Sequence, residues 1–393
     1  MPPMKNVYLD HHATTPVDPR VLDVMLPYLR DQFGNPSSVT HPHGLNAKEA
    51  VEKARTQVAS AFGTNARSVV FTSGATEANN LALLGVAERA PSGRDRRDHF
   101  ITQASEHHAV LEPLEQLEKR GFRRTVLRPD SDGFVSSEQV ANALTDRTLL
   151  VSIMAAQNEV GAVQPIESIG AVCREAGVIF HTDAAQAAGK IPVDVERMNV
   201  DLLSVSAHKY YGPKGVGCLC VRRRGQPRIR LSPLAFGGGQ EGGIRPGTLN
   251  VPGIVGLGEC SRLLTEELPD EMSRLANLRN RLWDAVSSRL PEVRLNGPRD
   301  WERRLPGNLS LSFPGIDGAA LLIGLQDIAA SSGSACTAGN AEPSYVLKAM
   351  GLPDDLAAST LRLCVGRFNT EEEIDYAAGR IVETVGKLRR QRR

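Results

Sequence analysis

The apolar pattern of this chain switches between a period of two and a period of 3.6 so regularly that few folds can accept it. Residues 44–63, GLNAKEAVEKARTQVASAFG, place Ala47, Ala50, Ala54, Val58 and Ala61 on one helical stripe. The β-rich run SVVFTSG follows. ATEANNLALLGVAERA then reads as helix, HFITQAS as strand, and AVLEPLEQLEKRG as a helix closed by Gly121. RRTVLRPD, SSEQVANALTD, TLLVSIMAAQ, PIESIGAVCREAG and VIFHTD continue the alternation. Such alternation predicts a mainly parallel sheet covered on both faces, with the working residues beyond the carboxyl ends of its strands. After about Pro252 the rhythm changes. Residues 271–290 carry Met272, Leu275, Leu278, Leu282 and Val286 at helical spacing, and shorter strands follow in NLSLSFPG, IAASSG and TLRLCVG. The last helix, TEEEIDYAAGRIVETVGKLRR, has acids first and bases last, as the helix dipole favours. The expected architecture is α/β. A large domain on a mainly parallel sheet covers residues 15–260, and residues 1–14 and 261–393 form a smaller α+β domain.

Composition narrows the function classes. Charged residues make up 23% of the 393, apolar ones 41%, and the formal net charge is +1, so no global field draws the chain to nucleic acid or membrane. Two basic runs, RRRGQPRIR (222–230) and KLRRQRR (387–393), read as a solvated loop and a helix end, because neither interleaves aromatics for base stacking. An acidic partner protein is the sharper alternative. No apolar run approaches the roughly 18–20 residues of a membrane span. The start, MPPMKNVYLDHHATTP, lacks the order of a signal peptide. A cytoplasmic protein with reduced thiols is expected, with no membrane and no direct nucleic-acid contact. Its six cysteines, Cys173, Cys218, Cys220, Cys260, Cys336 and Cys364, are scattered and form no CxxC pair. Cys218 and Cys220 alternate on a strand-like run, with no second pair to complete a metal site. Cys173 and Cys364 read as small hydrophobes in a helix and a strand. Cys336 differs: in SSGSACTAG (331–339) nothing can pack around it.

Three segments carry the chemistry. SVSAHKYYGPKGVG (204–217) sets Lys209 after a strand-like run and before a Gly-Pro turn; alone, it would be a surface charge. VIFHTDAAQAAGK (178–190) puts Asp183 at the end of a very apolar strand, where a carboxylate needs a cationic or hydrogen-bonding partner; its plain reading is a helix or turn cap. FTSGATEANN (71–80) runs from strand to helix through Ser73-Gly74-Ala75-Thr76, offering backbone N–H groups to a phosphate, although such a turn also suits a mononucleotide. Together, phosphate cup, buried carboxylate and lysine suggest pyridoxal phosphate (PLP), with Lys209 as its Schiff-base amine and Asp183 keeping the ring nitrogen protonated.

At these residues the chain resembles the cysteine desulfurases, the NifS/IscS-like branch of the class V aminotransferase-fold PLP enzymes. The resemblance runs through YLDHHATTPVDPRV, GNPSS, FTSGATEANNLAL, SEHHAVL, NEVGAVQPI, HTDAAQAAGK, SAHKYYGPKGVG, GGGQEGGIRPGTLNV, SSGSACTAG, EPSYVLKAMG and LRLCVGRFNTEEEID, in family order over nearly the whole length. It implies the PLP-dependent transferase fold (fold type I). It also implies that Asp183 meets the ring nitrogen and Gln186 the ring hydroxyl, and that His107 stacks on the ring and shuttles protons. Ala75, Thr76, Ser206 and His208 would hold the phosphate, with Thr248 reaching the phosphate of a neighbouring subunit, so a homodimer is expected. Asn158 would lie by the cofactor, and Arg362, helped by Asn35, would clamp the carboxylate of the substrate, L-cysteine. Cys336 would be the nucleophile that takes the substrate's sulfur as a persulfide and releases alanine, and at most a transient iron–sulfur ligand. The small residues around it would let the loop swing outward to a sulfur-acceptor protein. A thiol of pKa ~8.5 needs local activation for this, for which His107 is a candidate.

Two features depart from the family pattern. Members that serve iron–sulfur scaffolds continue for some tens of residues after the final helix, whereas this chain stops at QRR, which leaves the acceptor open among an iron–sulfur scaffold, a tRNA-thiolating enzyme and a DNA phosphorothioation enzyme. DHHATT places His11 and His12 where many relatives carry other residues; groups behind the cofactor's direct contacts and plain polar surface both remain open. SSGSACTAGNAEPSY (331–345) resembles the long-loop group, which hands sulfur directly to varied partners. The competing readings are a selenocysteine lyase or another class V aminotransferase-type enzyme using Lys209, and a non-catalytic sulfur carrier.

Overall fold

The computed structural model describes residues 6–90, 93, 96–223, 225, 229–332 and 343–391. Its strands in chain order are β1 (Val7–Tyr8), β2 (Val69–Thr72), β3 (His99–Gln103), β4 (Arg123–Leu127), β5 (Thr148–Ser152), β6 (Ile179–Asp183), β7 (Leu202–Ser206), β8 (Gly217–Val221), β9 (Arg294–Leu295), β10 (Asn308–Ser312), β11 (Ile328–Ala329) and β12 (Thr360–Cys364). Seven form the main sheet in the order β2-β8-β7-β6-β5-β3-β4. From β7 to β4 all neighbours are parallel, whereas β8 is antiparallel to both β7 and β2. The sheet is therefore mainly parallel, as expected, with one reversed strand. The link from Ser206 to Gly217 is shorter than the crossover of about a dozen or more residues that a parallel neighbour needs.

Alternate residues of the central strands serve opposite faces. Val70, Phe100, Leu150, Ile179, Leu202 and Leu219 join one apolar cluster with the helices Ala75–Ala87 and His108–Lys119. Phe71, Ile101, Val151, Phe180, Leu203 and Cys218 join another with the helix Pro42–Ala61 and the first half of the helix Val251–Ser287. Burial on both faces explains the near-continuous apolar strand runs in the sequence. Only β4, at the sheet edge, shows exposed positions among these strands.

A second core forms around the antiparallel sheet β12-β10-β9 and the parallel pair β1–β11. Val7, Leu9, Leu278, Leu282, Leu309, Leu361, Ile374 and Ile381 meet there. The N-terminal residues thus pack with the C-terminal part of the chain. The helix Val251–Ser287 runs unbroken across residue 260, with Val251 to Leu264 in the first core and Leu275 to Val286 in the second. Pro269 sits on an exposed position, where the carbonyl it leaves without an N–H donor can reach water. Among the described residues no helix is long and apolar enough to cross a membrane.

Gly217 marks where the sheet touches the candidate site. A Cβ there would lie 2.3 Å from the Val205 carbonyl oxygen and 2.7 Å from Gly74 Cα. Gly217→Ala is expected to lower stability by about 1–3 kcal/mol through overpacking. Gly379→Ala, whose Cβ meets nothing within 4 Å in the last helix, is expected to raise it by roughly 0.5–1 kcal/mol. Urea unfolding of the two variants checks the opposite signs.

Candidate active site

The carboxyl ends of β2, β3, β5, β6 and β7 converge on one cavity of about 480 Å³, a size suited to a small cofactor. β6 ends at Asp183 and β7 at Ser206; the 3-10 turn Ala207–Lys209 then carries His208 and Lys209 to the same opening. Ser73 and Gly74 lead from β2 into the helix Ala75–Ala87. His107 caps the helix His108–Lys119 after β3. Asn158 comes from the loop after β5, and Arg362 arrives from β12 in the second sheet. The structure thus brings together Ala75, Thr76, His107, Asn158, Asp183, Gln186, Ser206, His208, Lys209 and Arg362 in the cavity wall.

Each side chain is held by a stated partner. Asp183 is 5% exposed; its Oδ2 accepts from Asn79 Nδ2 at 2.6 Å and its Oδ1 from the Ala185 N–H at 2.9 Å. It makes no ion pair among the described residues. Lys209 Nζ donates to the carbonyls of His12 (2.7 Å) and Ala13 (2.8 Å). Gln186 Nε2 donates to the same His12 carbonyl at 2.8 Å, and its Oε1 accepts from Lys190 Nζ at 3.0 Å. Those bonds fix which end of the amide is oxygen. His107 Nδ1 accepts from the Ala109 N–H at 3.0 Å, so its ring proton sits on Nε2. Arg362, 2% exposed, donates from Nη2 to Asp10 Oδ1 at 2.8 Å, and Ser331 Oγ donates to that same oxygen at 3.0 Å.

The field in the cavity is positive. Burial pushes His208 down to about 4, reinforced by the charges of Lys209, Lys214 and Lys190. Burial also brings Lys190 down to about 8 and holds His12 well below its ordinary value. One group runs the other way: burial raises the Glu106 carboxyl to about 8, against the N–H of Met154 and the amide of Gln103. Gly74 opens the turn before the helix Ala75–Ala87 with φ 150° and offers no capping side chain, so the N–H groups of Ala75 and Thr76 are left for a ligand. An anion-binding helix start, a buried carboxylate without a cation, and a lysine at the rim fit pyridoxal phosphate, whose phosphate, pyridinium nitrogen and aldehyde match them in turn.

Not every expected residue arrives. Asn35 is exposed, spends its Oδ1 on the Ser37 N–H at 3.0 Å and does not line the cavity. Thr248 is exposed outside it too, where its expected target, the phosphate of a neighbouring subunit, would lie. Cys336 lies outside the described residues. Cys173 and Cys364 are buried and their thiols are pushed up to about 12, in line with their reading as small hydrophobes. Cys218 and Cys220 are buried in β8, and no group of three metal-ligating side chains occurs among the described residues. His11 and His12 are both buried, and His12 lines the cavity, which removes the plain surface reading for the pair. Asn79, Lys190 and Asp10 escaped the sequence analysis. Asn79 had one local signal: it is a polar residue within a helix of otherwise apolar buried positions, although nothing in the sequence tied it to Asp183.

The buried histidines set a pH dependence. His181 is fully buried between Ser152 Oγ (2.7 Å) and Ser204 Oγ (3.0 Å), and burial lowers it from 6.5 to about 4. Between these values the unfolded chain binds a proton that the folded chain refuses, so stability falls with falling pH by up to about 1.4 kcal/mol per unit for this group. His11 and His208 act in the same sense, while Glu106 opposes them above pH 4.5. His181→Gln is expected to flatten the decline in the urea midpoint of the cofactor-free protein between pH 6.5 and 5; an unchanged slope would contradict the assignment.

The chain is similar to known proteins over nearly its whole length. The curated cysteine desulfurase IscS of Anaeromyxobacter dehalogenans is 51% identical over 98% of this chain and 93% of its own length. The solved structure of a NifS-like protein has a TM-score of 0.89 at 38% identity, covering 98% of this chain and 100% of that one. A structure of SspA in complex with cysteine has a TM-score of 0.80 at 38% identity, covering 93% and 100%. Residues 7–377 match the aminotransferase class-V family. The chain belongs to that family, in its cysteine desulfurase branch, and has its PLP-dependent fold type I.

Proposed function

We propose that this protein is a PLP-dependent L-cysteine desulfurase, which takes sulfur from L-cysteine, leaves L-alanine, and passes the sulfur as a persulfide to an acceptor protein. The observation that carries the reading is the convergence of Lys209, Asp183, His107 and the Gly74 helix start on a single cavity.

Bound there, pyridoxal phosphate supplies an electron sink for the charge left when the substrate's α-proton departs. The chain's own residues do the rest. The N–H groups of Ala75 and Thr76, with Ser206 and His208, would hold the phosphate. Asp183, oriented by Asn79, would keep a proton on the ring nitrogen, and Gln186, held at the His12 carbonyl, would meet the ring hydroxyl. Lys209 would anchor the cofactor through its amine and serve as the base for the substrate's α-proton. Arg362 holds the substrate carboxylate beside Asn158, and His107 moves a proton at its Nε2. The Cys336 thiolate then attacks the substrate's sulfur: an S–S bond forms, the C–S bond breaks, and its electron pair goes to the carbon side. Residues 15–260 serve in this reading as the cofactor-holding unit, and residues 1–14 and 261–393 as the unit that brings Arg362 and Cys336.

The working form is a cytoplasmic homodimer. Leu22, Leu26, Leu29, Phe33, Val39 and Leu45 are all exposed along the first two helices and the loop between them, a band that a second copy would cover. In such a pair Thr248 of one subunit serves the phosphate of the other. The sulfur acceptor is an iron–sulfur or thio-modification protein.

Two experiments test the proposal. Cys336→Ser is expected to keep the yellow cofactor while persulfide formation and alanine release fall below detection, and borohydride reduction with peptide mapping should place the adduct on Lys209. A Cys336→Ser protein that turns over cysteine at the native rate would remove Cys336 from the reaction. Leu29→Glu with Phe33→Glu should halve the mass seen by light scattering; an unaltered mass would move the dimer interface elsewhere.

A further inference from the structure

The phosphate turn contains a group that should repel its ligand. Glu77 is the third residue of the helix Ala75–Ala87, lines the cavity, and accepts from the Ser73 N–H through Oε2 at 2.6 Å. It thus occupies one of the N–H groups at an anion-binding turn and brings a negative charge there. Arg245 answers that charge: its Nε donates to Glu77 Oε1 at 2.9 Å and its Nη2 to Oε2 at 3.4 Å. Both side chains are partly buried, 29% and 24% exposed, and Arg245 itself does not line the cavity. The Glu77 carboxyl is held below its ordinary value; burial works against ionisation, and Arg245 and Ser73 overcome it.

We infer that Arg245 is a positioning residue for cofactor binding, which neutralises Glu77 so that this carboxylate can shape the Ser73–Gly74 turn without repelling the phosphate held there. The inference rests on the proposed function for the location of the phosphate. Geometry explains why an acid is kept. Glu77 spans from Ser73, before the helix, to the first turn, and locks the strand-to-helix corner whose N–H groups must point together. The same corner is stiffened from β2, where Thr72 Oγ1 donates to the Gly74 carbonyl at 3.0 Å. A carboxylate makes this clamp only if a fixed cation cancels its charge, and Arg245 reaches it from the segment after the Gln240–Gly243 turn. That turn is pinned to β2 by Glu241, which accepts from the Phe71 N–H at 2.9 Å and from Arg55 Nη2 at 2.7 Å. The distant segment and the phosphate turn are therefore joined at two points, one through backbone and one through charge.

The test measures cofactor affinity in cofactor-free protein by absorbance titration, without turnover. Arg245→Gln is expected to weaken pyridoxal phosphate binding roughly 3- to 30-fold, the range for one unscreened charge at a helix start. Pyridoxal, which lacks the phosphate, should bind the variant and the native protein alike. Adding Glu77→Gln to Arg245→Gln should restore the phosphate ester's affinity to within about twofold. Thermal unfolding of the cofactor-free variants checks that each is folded. Equal affinity in Arg245→Gln and native protein would overturn the inference. So would failure of the second substitution to restore binding, or an equal loss for pyridoxal. A native protein that binds neither compound would overturn the proposed function itself.

Discussion

The carbonyl of His12 must find donors in a buried place, and it finds two: the amine of Lys209 and the amide of Gln186. Much of the site follows from this one requirement. The segment around it joins the two cores. Val7 and Tyr8 pair with Ile328 and Ala329, Asp10 pairs with Arg362, and Thr15 exchanges hydrogen bonds with the His208 carbonyl and the Tyr211 N–H. Residues 7–15 therefore fix the distance between the lysine on the large sheet and the arginine on the small one. Neither sheet alone holds both groups.

The charges around the cavity are arranged as a balance rather than as isolated pairs. Lys209, Lys214 and Arg362 line the cavity with the carboxylates of Asp183 and Glu77, while Asp10 pairs with Arg362 and Arg245 with Glu77, and burial keeps His208 and His12 from adding to the positive side. A cofactor with a phosphate and a substrate with a carboxylate bring the missing negative charge, while a protonated ring nitrogen answers Asp183. The excess charge of the protein is thus matched to what it binds. Among the described residues the Lys190 amine has no carboxylate in contact; it is held by the Gln186 side chain and by the carbonyls of Gln186 and Lys209. Burial without an anion brings it down to about 8, so its charge is only weakly favoured near neutrality.

The sequence made the main sheet legible because its strands are buried twice over. Residues such as Leu150 and Val151 serve opposite faces and both must be apolar, so the run stands out from the helices around it. The site was legible where a residue type contradicts its surroundings: Asp183 at the end of IFHTD, and Lys209 before a Gly-Pro turn. It was not legible where the partner lies far along the chain. Asn79 meets Asp183 across 104 positions and Asp10 meets Arg362 across 352, and neither spacing leaves a periodic trace. The unbroken helix across the boundary read at residues 260 and 261 was not legible, because its apolar stripe passes from one core to the other and its proline, Pro269, takes a wetted position where the lost bond costs less. Thr248 could be placed only by family resemblance, since its expected target belongs to another chain.

The cysteines supply the last step. Six occur in the chain, and the five among the described residues are all buried. Burial pushes the thiols of Cys173 and Cys364 up to about 12 and that of Cys260 higher still. A thiol of pKa 12 is ionised to about one part in 10⁵ at neutral pH, too little to serve as a nucleophile. Cys364 shows that nearness is not enough. It neighbours Arg362 in β12 and feels the charges of Lys190 and Lys209, yet desolvation outweighs all of them. The apolar packing that buries these five has no counterpart in the composition around Cys336, where serine, glycine and alanine offer no apolar cover. Sulfur chemistry on this scaffold therefore needs a thiol kept apart from the cores, on a segment chosen for what it does not bury.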